Sequence, residues 1–251
     1  MRLKDILRFV KELDLVDSAE VMRAVQRYRD FWKPESAGFQ TKVVLLAESH
    51  KHTSKEEFSI PHRSEFASGL RTKNHRFPRH FVRFVYCLGY GELSVLDSYV
   101  QGNNGSPDYW RILYSCAHRV ERTNDFESVE RGGAERRMAA KVKLLRGLQK
   151  NGIWLVDASP LGIDVFGGGV KRKIIRFCWE RYTRGMLGNL RGLRRVVIIG
   201  SSVNNAIKRE LRSFERERGN LEVGPVFRQP RASPYTLSDY HRLFDACVLA
   251  D

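Results

Sequence analysis

The segment VVLLA (43–47), together with the polar run ESHKHTS (48–54) that follows it, decides the class of fold. The apolar run is too short for an ordinary helix, is partly β-branched and is bounded by polar residues, which is typical of a buried strand. Ligands of α/β proteins collect at the loops that leave the carboxyl ends of parallel strands. The junction between residues 47 and 48 is therefore the first candidate site.

Three further segments have the same form, a short apolar run that ends in a polar loop. They predict strands at 153–156, 195–199 and near 222–226. The loops that follow them are DASPLG (157–162), GSSVNN (200–205) and RQPRASPYT (228–236). Because all four loops leave strand ends, we expect them to meet at one edge of the sheet.

Helical spacing of apolar residues fills the chain between the predicted strands. Helices are predicted at 18–32, 133–150 and 170–183, within a mostly helical middle that includes the aromatic stretch 77–90, and a final helix follows residue 236. Strands that alternate with helices predict an α/β protein, a three-layer α/β/α sandwich with a mainly parallel central sheet. We expect one domain over 1–251, with an N-terminal helical segment at 1–35 and an α/β core at 40–245.

The charge of the chain favours a polyanionic partner. Lysine and arginine number 44 against 29 acidic residues, which gives a formal net charge of +15. Such a charge is expected of a protein that binds DNA, although a merely soluble basic protein would share it. An apolar content of 42% is enough for a core and excludes wholesale disorder.

The cysteines and the apolar runs indicate the cellular compartment in which the protein acts. The four cysteines are far apart in sequence and include no Cys-x-x-Cys pair, so neither a disulfide framework nor a cysteine-rich metal site is expected. No apolar run approaches the roughly 18–20 residues of a membrane span, and the charged N-terminus lacks the apolar block of a signal peptide. We expect a cytoplasmic monomer with reduced thiols, no membrane association and no cofactor.

Taken in order, the four loops resemble those of the uracil-DNA glycosylase superfamily over roughly residues 40–245. Residues 47–52 (AESHKH) resemble the first loop of that family, Gly-Gln-Asp-Pro-Tyr-His or Gly-Glu-Ala-Pro-Gly. Asp157 follows the second strand where the family has an Asn that reads uracil. VVIIGSSVNNAIK (196–208) resembles the third strand and its Gly-Ser helix start, and RASP (231–234) resembles the last loop, His-Pro-Ser-Pro.

The resemblance implies roles for the acidic and basic residues of these loops. Cleavage of an N-glycosidic bond develops positive charge on the sugar and negative charge on the departing base. Glu48 is suited to stabilise the positive charge on the sugar. The negative charge at O2 of the base would be stabilised by Arg231, which stands in place of the family's histidine, or by His50. Glu48 as a helix cap and Arg231 as a phosphate ligand are the alternatives. The family branch with this Glu commonly binds an iron–sulfur cluster through cysteines that include a close pair, which this chain lacks, so no cluster is expected.

Asp157 bears on which base is read. An ionised Asp only accepts hydrogen bonds, which suits the N4 amine of cytosine and opposes the O4 acceptor of uracil. Ser49 stands in the base-binding loop where another branch has its Asp. Lys51 replaces the family's Tyr beside C5, which opens space for a C5 substituent, and Phe58 resembles the Phe that stacks on the flipped base. The alternatives are that Asp157 caps the following turn and that Phe58 is a core residue.

The remaining candidates concern the DNA backbone. Ser201, Ser202 and Ser233 are suited to phosphate contacts, and Tyr235 or Leu237 to filling the space of a flipped nucleotide. The resemblance thus predicts a metal-independent, monofunctional DNA glycosylase that excises a modified cytosine, such as glucosylated 5-hydroxymethylcytosine of phage DNA. The alternatives are a repair glycosylase for uracil or another deaminated base, a DNA-binding protein without activity on the same fold, and a nucleotide-binding or nucleotidyl-processing α/β protein, which the lack of a P-loop or Gly-x-Gly-x-x-Gly motif disfavours.

Overall fold

A four-stranded parallel sheet forms the centre of the protein. The computed structural model describes residues 19–70, 76–229 and 234–248. The strands lie in the order β2-β1-β3-β4, and their bounds are Val43–Ala47 (β1), Ile153–Asp157 (β2), Arg195–Ile199 (β3) and Glu222–Phe227 (β4). Helices flank the sheet, so the predicted α/β class is confirmed, and the arrangement is consistent with a three-layer sandwich.

The helices of the described chain follow the predicted alternation with the strands. The α-helices are Ala19–Phe31 (α1), Lys55–Phe58 (α2), Ser64–Gly69 (α3), Pro107–Ala117 (α4), Glu127–Glu130 (α5), Ala134–Lys150 (α6), Gly168–Cys178 (α7), Arg184–Gly188 (α8), Ser201–Arg218 (α9) and Leu237–Cys247 (α10). A π-helical turn, Trp179–Thr183, joins α7 to α8. Short 3-10 helices lie at Pro34–Ala37, Leu93–Val95 and Thr123–Phe126. The first half of the predicted N-terminal helical segment, residues 1–18, lies outside the described residues.

The register of the strands explains why their loops meet. Ala47, the last residue of β1, is paired with Asp157 of β2 and with Ile199 of β3. The three strands therefore end at the same level, and the residues that follow them emerge side by side. All five residues of β1 are buried, as a central strand covered on both faces requires.

The aromatic stretch 77–90 is the part of the middle where the helical prediction is wrong. It contains no helix and runs through turns, because several of its backbone groups bond to distant loops and those that bond within the stretch do so only two or three residues apart. The N–H of Phe81 donates to the carbonyl of Ile60 at 2.9 Å, and the carbonyl of Arg83 accepts from the N–H of Lys51 at 3.1 Å. One of its buried rings, that of Phe84, thereby packs against His50 in the loop that follows β1.

Other features of the described chain bear on the sequence expectations. All four cysteines are free and buried. In the part that the structure describes, no group of three or more His, Cys, Asp or Glu side chains is placed to hold a metal ion. Within those same residues, no helix is long and apolar enough to cross a membrane.

Candidate active site

A cleft of about 320 Å³ lies where β1 and β2 end. The loop after β1 contributes residues 48–51 to its lining, and β2 contributes Leu155 and Asp157. The aromatic stretch, α4 and α7 form the remaining walls, and Gln229 lies at the margin next to residues outside the described part. The volume is near the lower end of the roughly 300–1,000 Å³ usual for small-ligand pockets, which suits one base with a substituent.

Asp157 is buried, and His50 holds its carboxylate. Oδ2 accepts a hydrogen bond from the main-chain N–H of His50 at 2.9 Å and lies 3.2 Å from the ring Nδ1 of the same residue. The hydroxyl of Ser159, in the following turn, bonds to Leu161. The N–H of Ser159 donates to the carbonyl of Glu48 at 3.1 Å, and no hydrogen bond joins Asp157 to that turn among the described residues, so the capping alternative is wrong. The His50 side chain has no exposed surface, so its ring reaches Asp157 and does not reach solvent.

Glu48 lies directly after β1, and both of its carboxylate oxygens are occupied. Oε1 accepts from Nζ of Lys171 at 3.0 Å, and Oε2 accepts a short hydrogen bond from the hydroxyl of Ser202. Ser202 is in the first turn of α9, which begins after Gly200. Gly200 has a φ of +116°, and a Cβ there would lie 2.7 Å from Oε1 of Gln229. Glycine at this position therefore permits the sharp turn that brings Ser202 to Glu48.

The loop after β1 is fixed on both sides by hydrogen bonds to its main chain and side chains. The N–H of His52 donates to Oδ1 of Asp164 at 2.8 Å, and the hydroxyl of Ser49 accepts from the N–H of Ile163 at 3.4 Å. On the other side, the hydroxyl of Thr53 accepts from the N–H of Arg83 at 2.9 Å. These bonds preorganise the loop, so Glu48 and Lys51 need little rearrangement on binding.

Arg83 lines the cleft, but its guanidinium group is committed to structure. Nε donates to the Glu57 carboxylate at 3.0 Å, and the terminal nitrogens donate to the carbonyls of Gln101 and Gly102. Partial burial raises the pKa of Glu57, but the hydrogen bonds from Arg83 and from the Ser54 N–H and the positive charge of Arg83 together outweigh it, and the net pKa lies below the ordinary value. The pair is therefore charged on both sides near neutral pH and ties the aromatic stretch to α2.

Phe84 and Tyr109 are aromatic residues of the cleft lining, whereas Phe58 is not part of it. Phe84 lines the cleft, is 1% exposed, and its ring meets that of His50 edge-on at 6.0 Å. Phe58 stacks on His80, with the ring centres 4.8 Å apart, and does not line the cleft. The core alternative for Phe58 thus fits its surroundings, since its ring packs against the buried cluster. The sequence showed many aromatic residues in 77–90 but nothing that singled out Phe84.

The residues that were predicted to contact the DNA backbone lie in different environments. Ser201 is exposed at the start of α9, whereas Ser202 bonds to Glu48 and is not free for a phosphate. Tyr235 is held inward, because its hydroxyl donates to the carbonyl of Arg228 at 2.7 Å. Leu237 is exposed, at 40%, at the first residue of α10. Arg231 and Ser233 lie outside the described residues.

Lys171 is a cleft residue that the sequence did not single out. It is part of the basic run KRKIIRFCWERYTR (171–184), which is typical both of a solvated helix face and of a DNA channel. The other cleft residues that the sequence did not single out are Ser106, Asp108, Tyr109, Asp164 and Gln229. Asp164 and Gln229 lie in the loops that follow β2 and β4, whereas Ser106, Asp108 and Tyr109 lie at the start of α4, far along the chain from any strand end.

Comparison with protein-family models, curated proteins and solved structures finds no match to the chain. The resemblance described above therefore depends on its four loops. The proposed function therefore depends on the geometry of the cleft.

Proposed function

We propose that the protein is a DNA glycosylase, with a uracil-DNA glycosylase-like fold, that takes a flipped-out base into the cleft and hydrolyses its N-glycosidic bond. The supporting observation is that two carboxylates with different surroundings line one cleft: Glu48 is paired with Lys171 and Ser202, and Asp157 with His50. Two acidic groups held differently are suited to two roles, one toward the sugar and one toward the base.

Glu48 is the carboxylate that acts on the sugar. Its carboxylate is about one-eighth exposed, at 13%, so it faces the cleft while remaining partly desolvated. A carboxylate in such surroundings stabilises the positive charge of the sugar in the transition state more strongly than one in water. It also accepts a proton from the water that attacks C1′.

Asp157 is the group for the base, which we propose is a modified cytosine such as glucosylated 5-hydroxymethylcytosine. His50 occupies Oδ2, and no hydrogen bond joins Oδ1 to the described residues, so Oδ1 is left to accept from an N4 amine. Phe84 contributes part of the apolar lining against which a flipped base packs. Lys51, Asp108 and Asp164 also line the cleft, and their charges suit a substituent that bears hydroxyl groups.

We also propose that the protein acts on DNA as a cytoplasmic monomer without an iron–sulfur cluster. The net charge of +15 favours a polyanion, and the cysteines include no close pair in sequence. Monomeric action is tested by sedimentation in the presence and absence of a short duplex.

The experiment that tests the function is incubation with a panel of duplexes. Each carries cytosine, uracil, 5-hydroxymethylcytosine or its glucoside at one position, and abasic sites are then detected by cleavage with mild alkali. We expect abasic sites with the modified cytosines. Tight binding without any base release would instead indicate an inactive DNA-binding protein, and release of uracil alone would indicate a repair enzyme.

A further inference from the structure

Lys171 and Glu48 form an ion pair inside the cleft. Nζ of Lys171 lies 3.0 Å from Oε1 of Glu48, and the two side chains are 21% and 13% exposed. Lys171 is in the first turns of α7, a helix that begins with Gly168 and Gly169. A Cβ added at either glycine would have no neighbour within 4 Å, so the space beside this end of α7 is open.

In the part of the chain that the structure describes, Lys51 and Arg83 are the other lysine and arginine side chains of the cleft lining. Arg83 is bound to Glu57, and the ring of His50 is bound to Asp157. We assign Lys51 to the C5 side of the base, and no ion pair joins it to Glu48 among the described residues. Of the described lining residues, Lys171 is therefore the cation paired with the carboxylate that we assign to the sugar.

We propose that Lys171 is a catalytic residue whose ammonium group contacts O2 of the departing pyrimidine and protonates the base. This assignment rests on the proposed glycosylase function. O2 of a pyrimidine is attached to the carbon next to the glycosidic nitrogen. The Glu48 carboxylate and the Lys171 ammonium are 3.0 Å apart. If Glu48 faces C1′, Lys171 is therefore close enough to face O2, on the other side of the bond that breaks. The transition state carries positive charge on the sugar and negative charge on the base, and the ion pair is oriented to oppose that separation.

The proposed step is balanced in protons and electrons. The C1′–N1 bond breaks and its electron pair goes to the base, while water adds to C1′ and gives its proton to Glu48. The base takes a proton from Lys171. The proton on Glu48 then passes to the neutral Lys171 amine along their hydrogen bond, which restores the ion pair.

Two other roles for Lys171 make different predictions. If Lys171 only buttressed Glu48, its loss would slow the release of every base by the same factor. If its amine attacked C1′ as a nucleophile, a covalent imine with the sugar would form, and borohydride would trap it.

The test uses the full chain and single-turnover kinetics. The variants are Lys171→Met, Lys171→Arg and, as a matched control, Lys150→Met, which is exposed at the end of α6 before β2, at the opposite edge of the sheet. The substrates are duplexes whose scissile pyrimidine carries hydrogen, hydroxymethyl or the electron-withdrawing fluorine at C5. Proton donation contributes about 10²–10⁴-fold to such steps.

We expect Lys171→Met to lose on the order of 10²-fold or more with the poorest leaving base and much less with the fluorinated one. Lys171→Arg should recover part of the loss, and Lys150→Met should match the wild type. An equal loss across the series, or a borohydride adduct that requires Lys171, would overturn the assignment while leaving the glycosylase function intact. Absence of base release by the wild-type protein from every duplex would overturn the proposed function and this assignment with it.

Discussion

Oδ2 of Asp157 accepts the main-chain N–H of His50 at 2.9 Å and lies 3.2 Å from Nδ1 of the His50 ring. The two residues are 107 positions apart in the chain, and they meet because β1 and β2 end at the same level. The contact fixes the orientation of the carboxylate, so that Asp157 presents an acceptor of defined direction to the cleft.

The first prediction concerns the base that Asp157 reads. Asp157→Asn replaces an acceptor with an amide that also donates, which pairs with O4 of uracil. We expect the preference between cytosine and uracil derivatives with the same C5 group to shift toward uracil by about 1–3 kcal/mol, roughly ten- to a hundredfold. A competition assay measures this ratio. An unchanged ratio would remove Asp157 from base recognition.

The second prediction concerns the C5 side of the base. Lys51 lines the cleft, and Lys51→Phe would place a bulky ring there. We expect release of bases with large C5 groups to fall at least tenfold, while release of bases without a C5 substituent changes little. Single-turnover rates on matched duplexes check this. An equal effect on both classes would show that Lys51 does not face C5.

The third prediction concerns binding. If the basic surface contacts phosphates, the logarithm of DNA affinity should fall linearly with the logarithm of salt concentration, with a slope of about −0.9 for each phosphate contacted. We expect a slope that corresponds to several contacts, measured by fluorescence anisotropy with a short duplex. An affinity independent of salt would exclude a phosphate-binding surface.

The fourth prediction concerns stability in acid. Burial lowers the pKa of His62 from 6.5 to about 4. The neutral ring fits its surroundings, because Nδ1–H donates to the carbonyl of Arg79 at 2.9 Å and Nε2 accepts from the N–H of Gly89 at 3.3 Å. Between these pKa values the unfolded chain binds a proton that the folded chain does not, so stability falls as pH drops from 6.5 toward 4.

The loss attributable to His62 is up to about 3 kcal/mol across that window. Urea unfolding at pH 7, 5.5 and 4.5 measures the total change, and NMR titration of the His62 ring isolates its own share. His62→Gln should flatten the dependence if the variant folds. A ring that titrates near 6.5 in the folded protein would contradict the prediction.

The sheet was predictable from local sequence, because each strand is a short apolar run that ends in a polar loop. β1 and β3 have the predicted bounds, and β2 and β4 end one residue later than predicted. Glu48 and Asp157 were predictable as cleft residues for the same reason, since they stand at strand ends and parallel strands end together.

The partners of these two carboxylates were not predictable, since they depend on tertiary packing. Lys171 looks like any other cation of a basic helix, and only the orientation of α7 brings it to Glu48. Phe84 belongs to a stretch whose backbone bonds to distant loops, so its periodicity gave no sign that its ring lines the cleft. Ser202 was expected to meet a phosphate and instead donates to Glu48.

The role of Glu48 in base release is tested most directly by the single-turnover rate of Glu48→Gln on a duplex that carries a modified cytosine. The substitution removes the charge and keeps the shape of the side chain, and Glu65→Gln, at an exposed position in α3, serves as the matched control. We predict that Glu48→Gln loses at least about 10²-fold in rate with nearly unchanged DNA affinity, while the control retains the wild-type rate. A Glu48→Gln variant that releases the base at the wild-type rate would contradict the assignment of Glu48 to the reaction.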